Sequence, residues 1–159
     1  MIRNGIGYDV HKLIKGNSLT VGSVEIPCSF KSVGHSDGDC LIHAIVDAIL
    51  GAADLGDIGY FFPSSDNEWK GSPSSIFLQK AIDELKNAKY KIINIDSTVV
   101  LQRPMLSKYI FQIKNNLSSI MNINENQISV KATTTDGLGV IGISKGWSAF
   151  AIATISKID

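Results

Sequence analysis

The stretch SDGDCLIHAIVDAILGA, residues 36–52, predicts the first helix of this chain. Ser36 and Asp39 have the spacing of a capping box, with Asp in place of the usual Glu or Gln, so the helix should begin after Gly38. Apolar residues then recur at helical intervals, at Leu41, Ile45, Ala48, Ile49 and Ala52. This periodicity indicates a helix that packs one face onto a core.

Strand patterns lie on both sides of this helix. Alternating polarity or β-branched residues predict strands at residues 2–10, 19–26, 92–101, 127–133 and 148–158. Two further helices are predicted, one from about Ser72 with Pro73 at its first position and one from about Ser107. Glycines make residues 51–62 a loop or a frayed helix end. The pattern predicts an α+β fold: a single domain over residues 1–159, with one mixed β-sheet and helices packed on one face.

Composition and charge exclude several classes of protein. The 159 residues suit one domain with a real core, and 15 basic residues balance 15 acidic ones. A chain without net charge has no global field to attract nucleic acid or an anionic membrane, and no apolar run reaches the roughly 20 residues of a membrane span. Cys28 and Cys40 are too few for a disulfide scaffold. We therefore expect no nucleic-acid or membrane partner, and a cytoplasmic protein or a plastid protein whose N-terminal leader has been removed.

The three histidines of the chain all lie in its first 43 residues, among several aspartates. Asp9 and His11 are two apart on a predicted strand, so their side chains point to the same face. Together with His43 they offer three ligands that zinc accepts and leave a fourth position open, which is the pattern of a catalytic zinc site. Because no cysteine belongs to this cluster, zinc ranks first and manganese second. The alternatives are a solvated Asp–His pair at a strand end and a histidine satisfied within the core.

Two carboxylates lie near His43 on the predicted helix. Asp39 precedes His43 by one turn and Asp47 follows it by one turn, so the three should share a helix face. Asp47 is then placed to orient His43 through the ring nitrogen that does not face the metal.

Two later segments are candidate sites for phosphate and sugar. Three threonines, residues 133–135, end a predicted strand and lead through Asp136 into a glycine-rich turn. Hydroxyls and backbone amides there can bind phosphate, and Asp136 can hold a magnesium ion against it. The loop over residues 57–66 has a carboxylate at each end, and Asp57 can accept hydrogen bonds from a ribose diol. Plain strand filling for the threonines and a solvated connection for the loop are the alternatives.

Taken in order, these motifs resemble one family, the 2-C-methyl-D-erythritol 2,4-cyclodiphosphate synthases of the non-mevalonate isoprenoid pathway. The resemblance extends from residue 7 to about residue 142, which is nearly the whole chain. The matching stretches are Gly7-Tyr8-Asp9-Val10-His11, His35-Ser36-Asp37-Gly38-Asp39, His43, Gly51-Ala52, Leu55-Gly56-Asp57-Ile58-Gly59, Phe62-Pro63, Gln102 with Pro104, and Val130-Lys131-Ala132-Thr133-Thr134-Thr135.

This resemblance implies a reaction and its metals. The chain would convert 4-diphosphocytidyl-2-C-methyl-D-erythritol 2-phosphate to the 2,4-cyclodiphosphate with release of CMP, by metal-assisted intramolecular phosphoryl transfer. Zn²⁺, or another divalent ion such as Mn²⁺, would bind Asp9, His11 and His43, and Mg²⁺ or Mn²⁺ would bridge the substrate phosphates. His35 and Thr134 match the residues that stabilise the transition state.

The resemblance also implies a homotrimer with active sites between neighbouring subunits, so residues 133–136 would complete a site on another chain. Contacts to the sugar portions would come from Asp57 and Gly59, and the cytosine pocket from the backbone of residues 101–107. The full set of implied substrate contacts is Asp9, Val10, His11, His35, Ser36, Asp57, Ile58, Gly59, Phe62, Pro63, Ser64, Ser65, Asp66, Leu101, Gln102, Pro104, Met105, Leu106, Thr133, Thr134, Thr135 and Asp136.

The chain departs from the family pattern at several positions. Val140, Ile143 and Lys145 stand where the family often carries Phe, Arg and Glu. Ile143 in place of Arg predicts that isoprenyl diphosphates bind poorly in the central cavity of the trimer. Smaller departures are Asp136 for Glu, Met105 for Lys and Ser64 for Asp.

Two other functions compete with the cyclase. One is a zinc-dependent phosphohydrolase of another substrate, for which Asp47 is the evident general base. The other is a non-catalytic module that binds a nucleotide or isoprenoid in an apolar cavity.

Overall fold

A computed structural model describes residues 1–158. These residues form seven strands and five α-helices, and the first four strands precede the first helix. The strands are β1 (Ile2–Lys15), β2 (Ser18–Val21), β3 (Val24–Pro27), β4 (Phe30–Val33), β5 (Tyr90–Val100), β6 (Ile128–Thr133) and β7 (Gly146–Lys157). The helices are α1 (Cys40–Ala53), α2 (Ile58–Phe61), α3 (Ser74–Asn87), α4 (Ile110–Met121) and α5 (Gly139–Gly142).

Five strands form one mixed sheet in the order β4-β1-β7-β5-β6, and β2 pairs with β3 as a separate hairpin. The pair β5–β6 is parallel, with α4 in the connection, whereas the other pairs of the large sheet are antiparallel. The predicted mixed α+β architecture is therefore confirmed.

Strand β1 separates two environments by its period of two. Its odd-numbered residues from Arg3 to Leu13 turn towards the helices and are partly or fully buried, and its even-numbered residues from Ile2 to Lys12 are exposed. The buried set contains both Asp9 and His11, as the sequence predicts.

Helix α1 packs directly on β1 and β7, and eleven of its residues are buried. It comes very close to β1 because Gly5 and Gly7 lie beneath it. A Cβ at Gly7 would lie 1.8 Å from the carbonyl oxygen of Ala44, and one at Gly5 would lie 2.1 Å from that of Ala48. Glycine at these positions therefore sets the distance between the sheet and the helix that carries His43.

Several local predictions are wrong. The strand predicted at residues 19–26 is a hairpin, because Gly22 (φ +59°) and Ser23 (φ +58°) form a tight turn of the type that needs positive φ at both central residues. Strand β4 was not predicted. Helix α1 is capped by Asp39, whose carboxylate accepts from the Ile42 N–H, and not by a capping box that includes Ser36.

The helix ends also differ from the predictions. Helix α1 continues to Ala53, and the segment predicted as loop contains α2, whose N-terminus is capped by the Asp57 side chain. Helix α3 begins at Ser74, so Pro73 is its N-cap and not its first helical residue. Within residues 1–158, no helix combines the length and the apolar character that a membrane crossing requires.

Candidate active site

Asp9, His11 and His43 converge at one point between β1 and α1. The Asp9 Oδ2 atom lies 2.8 Å from His11 Nε2 and 3.0 Å from His43 Nδ1, and the two ring nitrogens are 3.1 Å apart. Ligand atoms on a tetrahedral zinc ion with bonds near 2.1 Å would be about 3.4 Å from one another. The three side chains thus form a group that fits a divalent metal ion.

The remaining nitrogen of each imidazole has a partner of its own. His11 Nδ1 lies 3.0 Å from the Val33 carbonyl oxygen on β4. Because a carbonyl can only accept, Nδ1 donates the proton and Nε2 presents its lone pair to the metal position. His43 Nε2 lies 2.9 Å from Ser74 Oγ and 3.1 Å from Ser36 Oγ. Such outer partners fix the ring orientation of metal ligands.

Charge at this cluster favours ionised groups. Burial alone would raise the pKa of the Asp9 carboxyl, but hydrogen bonds from His11 and His43 and their positive charge lower it well below its usual value. Burial would lower the pKa of His11, and the hydrogen bond and charge of Asp9 raise it above its usual value. A metal cation would take the place of the imidazole protons that face Asp9 and would carry the same sign of charge. The ionised Asp9 carboxylate is the form that coordinates a metal.

Two predicted neighbours of His43 have other roles. The Asp39 carboxylate is fully buried and accepts from the backbone N–H groups of Gly22 and Ser23, which ties the β2–β3 hairpin to the start of α1. The Asp39 carboxylate therefore faces the hairpin, although the sequence predicts that Asp39 shares a helix face with His43. Asp47 Oδ1 accepts from the Ile58 N–H at 2.8 Å, so among the described residues Ser74 and Ser36, and not Asp47, contact the outer nitrogen of His43.

A cavity of about 210 Å³ opens beside the three ligands. Its lining combines both metal-facing imidazoles with predicted substrate contacts and two aromatic residues that the sequence interpretation missed. The lining residues are His11, His35, Ser36, His43, Ile58, Gly59, Phe62, Ser64, Trp69 and Phe77. The cavity therefore gathers predicted residues from four separate segments of the chain.

The loop over this cavity is held by its polar residues. Asp57 Oδ1 accepts from the Tyr60 N–H at 2.9 Å, and Asp66 Oδ1 accepts from the Glu68 N–H. His35 Nε2 donates to the Asp66 carbonyl oxygen at 2.9 Å. Pro63, Ser64 and Ser65 are exposed, whereas Phe62 is buried against Phe77. Val10 lies between the two ligands of β1 but points to the opposite, exposed face.

A second cavity, of about 290 Å³, lies at the far edge of the sheet beside β6. Its lining is mostly apolar and includes Leu101, Pro104, Met105, Leu106, Thr133 and Thr134. Gln102 accepts from the Gly137 N–H through its side-chain oxygen, and Thr134 Oγ1 contacts both the Asp136 carboxylate and the Asp136 N–H. Thr135 Oγ1 donates to the Leu138 carbonyl oxygen at 2.7 Å. The structure thus brings the predicted cytosine and phosphate residues together.

Within one chain the two cavities are well separated. Val10, Ser148, Val100 and Thr133 form one row across β1, β7, β5 and β6. Three steps between neighbouring strands place Thr133 about 14 Å from β1. The two cavities have no lining residue in common.

The amino-acid sequence is similar to those of known proteins over almost its whole length. Residues 2–156 match the model of the YgbB family. A 2-C-methyl-D-erythritol 2,4-cyclodiphosphate synthase from Alkaliphilus oremlandii (strain OhILAs) is 47% identical over 156 residues, covering 98% of this chain and 99% of that one.

Solved structures agree with the sequence matches. IspF from Plasmodium falciparum in complex with CDP is 40% identical with a TM-score of 0.87, covering 99% of this chain and 97% of that one. The bifunctional IspDF from Campylobacter jejuni is 36% identical with a TM-score of 0.96, and this chain spans 43% of its length.

Proposed function

The chain belongs to the YgbB family, and we propose that its two cavities together perform the reaction for which its synthase relatives are named. It is an enzyme of isoprenoid biosynthesis that converts 4-diphosphocytidyl-2-C-methyl-D-erythritol 2-phosphate to 2-C-methyl-D-erythritol 2,4-cyclodiphosphate. An oxygen of the 2-phosphate forms a bond to the β-phosphorus, the bond from that phosphorus to the bridging oxygen breaks, and CMP leaves with the electron pair.

The observation that carries the metal assignment is the convergence of Asp9, His11 and His43 within hydrogen-bond distance of one another. Two of these residues, His11 and His43, line the cavity that also contains His35 and Ser36. We assign Zn²⁺ to the three ligands ahead of Mn²⁺, and Mg²⁺ or Mn²⁺ to the substrate phosphates near Asp136. When bound, these ions act as Lewis acids that offset the negative charge of the reacting phosphates.

The residues of the chain align and neutralise the substrate. Asp57 and Gly59 would contact the sugar portions, and His35 and Thr134 would donate to oxygens of the transferring phosphoryl group. The apolar cavity at residues 101–107 would hold the cytosine ring. Because one molecule carries both nucleophile and electrophile, holding its two ends gives up to about 7–11 kcal/mol of advantage over a bimolecular reaction. No covalent nucleophile on the protein is required.

The separation of the cavities supports assembly as a homotrimer. A distance of about 14 Å across four strands keeps Thr133 of one chain away from its own metal group, so a neighbouring subunit would supply residues 133–136. The exposed sheet face supplies a surface for that contact, since Ile6 is paired with Ile152 and Tyr8 with Phe150, and all four are at least 45% exposed. An apolar patch of this kind marks a protein interface.

The test is to incubate the metal-loaded protein with the cytidylylated 2-phosphate substrate and to follow CMP and the cyclic product together. Equal amounts of both should form, and a chelator or His43→Ala should stop the reaction. Inorganic phosphate or a nucleotide without cyclic product would show a phosphohydrolase. Absence of turnover, with nucleotide affinity unchanged in His43→Ala, would show a non-catalytic binding module. A cytoplasmic location is part of the same proposal and is tested by cell fractionation.

A further inference from the structure

A chain of hydrogen bonds supports His43 and runs through Ser74, on α3, to Asp37. Ser74, the first residue of α3, is fully buried and its Oγ lies 2.9 Å from His43 Nε2. The same hydroxyl is in short contact with the Asp37 carboxylate. We propose that Ser74 and Asp37 are positioning residues, which hold His43 in the tautomer that leaves Nδ1 free to bind the metal.

The Asp37 carboxylate is itself firmly placed. Its Oδ2 accepts from the Ser74 N–H at 2.9 Å, at the N-terminus of α3, and its Oδ1 accepts from the Asp39 N–H at 3.1 Å. The Asp37 N–H donates to the Ser72 carbonyl oxygen. The backbone N–H groups at a helix N-terminus attract an acceptor at this point, and a carboxylate offers only acceptor atoms.

The direction of the protons follows from these contacts. A serine hydroxyl has one proton, and a carboxylate is the stronger acceptor, so Ser74 donates to Asp37 and turns its lone pairs towards His43. His43 Nε2 must then carry the proton that it donates to Ser74 Oγ. A neutral imidazole with its proton on Nε2 has its lone pair on Nδ1, and Nδ1 is the atom 3.0 Å from Asp9 Oδ2.

Reversing the direction of the hydrogen bonds between His43, Ser74 and Asp37 would oppose metal binding. In Asp37→Asn, the amide group can donate to Ser74 Oγ, which frees the serine proton to point at His43 Nε2. That arrangement favours the tautomer with the proton on Nδ1, where it blocks coordination. Loss of outer partners of this kind weakens metal binding by about 10–100-fold.

This inference rests on the proposed metal site, and its test separates the two. Zinc affinity is measured by competition with a chelating dye for the wild type, Asp37→Asn, Ser74→Ala and the control Leu85→Ala. Leu85 is buried on the same helix and is absent from the lining of the metal cavity, so its truncation destabilises α3 without touching His43. The His43 Nε2–H signal of the zinc-loaded proteins is followed by proton–nitrogen NMR.

We expect zinc to bind about 10–100-fold more weakly in Asp37→Asn and Ser74→Ala, with a faster-exchanging His43 Nε2–H, and Leu85→Ala to match the wild type in both. Wild-type affinity in both site variants, or an equal loss in Leu85→Ala, would overturn the positioning role while leaving the metal site intact. A wild-type protein that binds no zinc would instead refute the metal assignment itself. If Ser74→Ala does not fold, the isosteric Asp37→Asn decides the matter.

Discussion

The closest approach between the sheet and α1 provides a direct test of how the site is built. In Gly7→Ala the new Cβ would lie 1.8 Å from the Ala44 carbonyl oxygen and 2.8 Å from the Ala48 backbone nitrogen. Real Cβ atoms stay at least 3.0 Å from such atoms, so α1 and β1 must separate by about 1.2 Å at this point. The obstructing atoms belong to the helix backbone, so no side-chain rotation can relieve the contact.

This separation acts on the metal group because Gly7 and Asp9 lie on the same face of β1, whereas His43 is adjacent to Ala44 on α1. Metal–ligand distances tolerate deviations of about 0.2 Å, far less than the required movement. We therefore expect zinc affinity to fall by more than the roughly 10–100-fold of an outer-partner change. Overpacking of the core should lower the free energy of unfolding by about 1–3 kcal/mol or more.

The matched control is Gly51→Ala, on the exposed side of α1, where a Cβ meets nothing within 4 Å. Alanine in a helix is more stable than glycine by about 0.5–1 kcal/mol, so this variant should be slightly stabilised and bind zinc normally. Urea unfolding and chelator competition measure both quantities. Wild-type zinc affinity in Gly7→Ala would refute the idea that the glycine sets the position of His43 relative to Asp9.

Three further predictions concern other parts of the molecule. Burial, with a smaller contribution from the charge of Asp37, raises the pKa of Asp39 to about 6. The contribution of Asp39 to the free energy of unfolding is therefore complete below about pH 4 and is lost as the pH rises through 6. In urea unfolding of metal-free protein, Asp39→Asn should destabilise more at about pH 4.5 than at about pH 7.5, and the reverse order would contradict this. Ile152→Lys places a charge on the exposed apolar sheet face that is proposed as the subunit contact. The mass measured by sedimentation should then fall to that of a monomer, and CMP release should stop. A fully active trimer would count against that interface. Isoprenyl diphosphates should bind the protein poorly in calorimetry because Ile143 stands in place of Arg; tight binding that is lost when Ile143 is changed would exclude this explanation.

The metal ligands could be predicted because the relevant signals are local. Strand periodicity alone puts Asp9 and His11 on one face, and the structure confirms it. The hairpin could not be distinguished from one strand by composition, but the sequence does contain a signal for it. Leu19 and Val21 alternate in one phase and Val24 and Ile26 in the other, and all four are buried, so the change of phase at residues 22–23 marks the turn.

The partners of His43 could not be predicted from helical periodicity. Periodicity states which residues share a face of α1, but it does not state what packs against that face. Asp39 binds the β2–β3 hairpin and Asp47 binds the start of α2, both of which come from other segments. Ser74 was missed because its part depends on α3 arriving beside α1, and a serine at a helix start is an ordinary feature of sequences.

One strand couples the metal site to the proposed subunit contact. Along β1, Gly7, Asp9 and His11 turn towards the helices, and Tyr8 and Val10, between them, turn to the exposed face. A shift of one residue in the pairing of β1 with β7 would exchange the two sets, because side chains alternate with a period of two. The register that places the ligands under α1 is therefore the same one that presents the apolar residues to a neighbouring chain. The proposed site, which would take residues 133–136 from a second subunit, would gain from this coupling, since a strand in the wrong register would neither present the metal ligands to α1 nor present the apolar residues to a neighbouring chain.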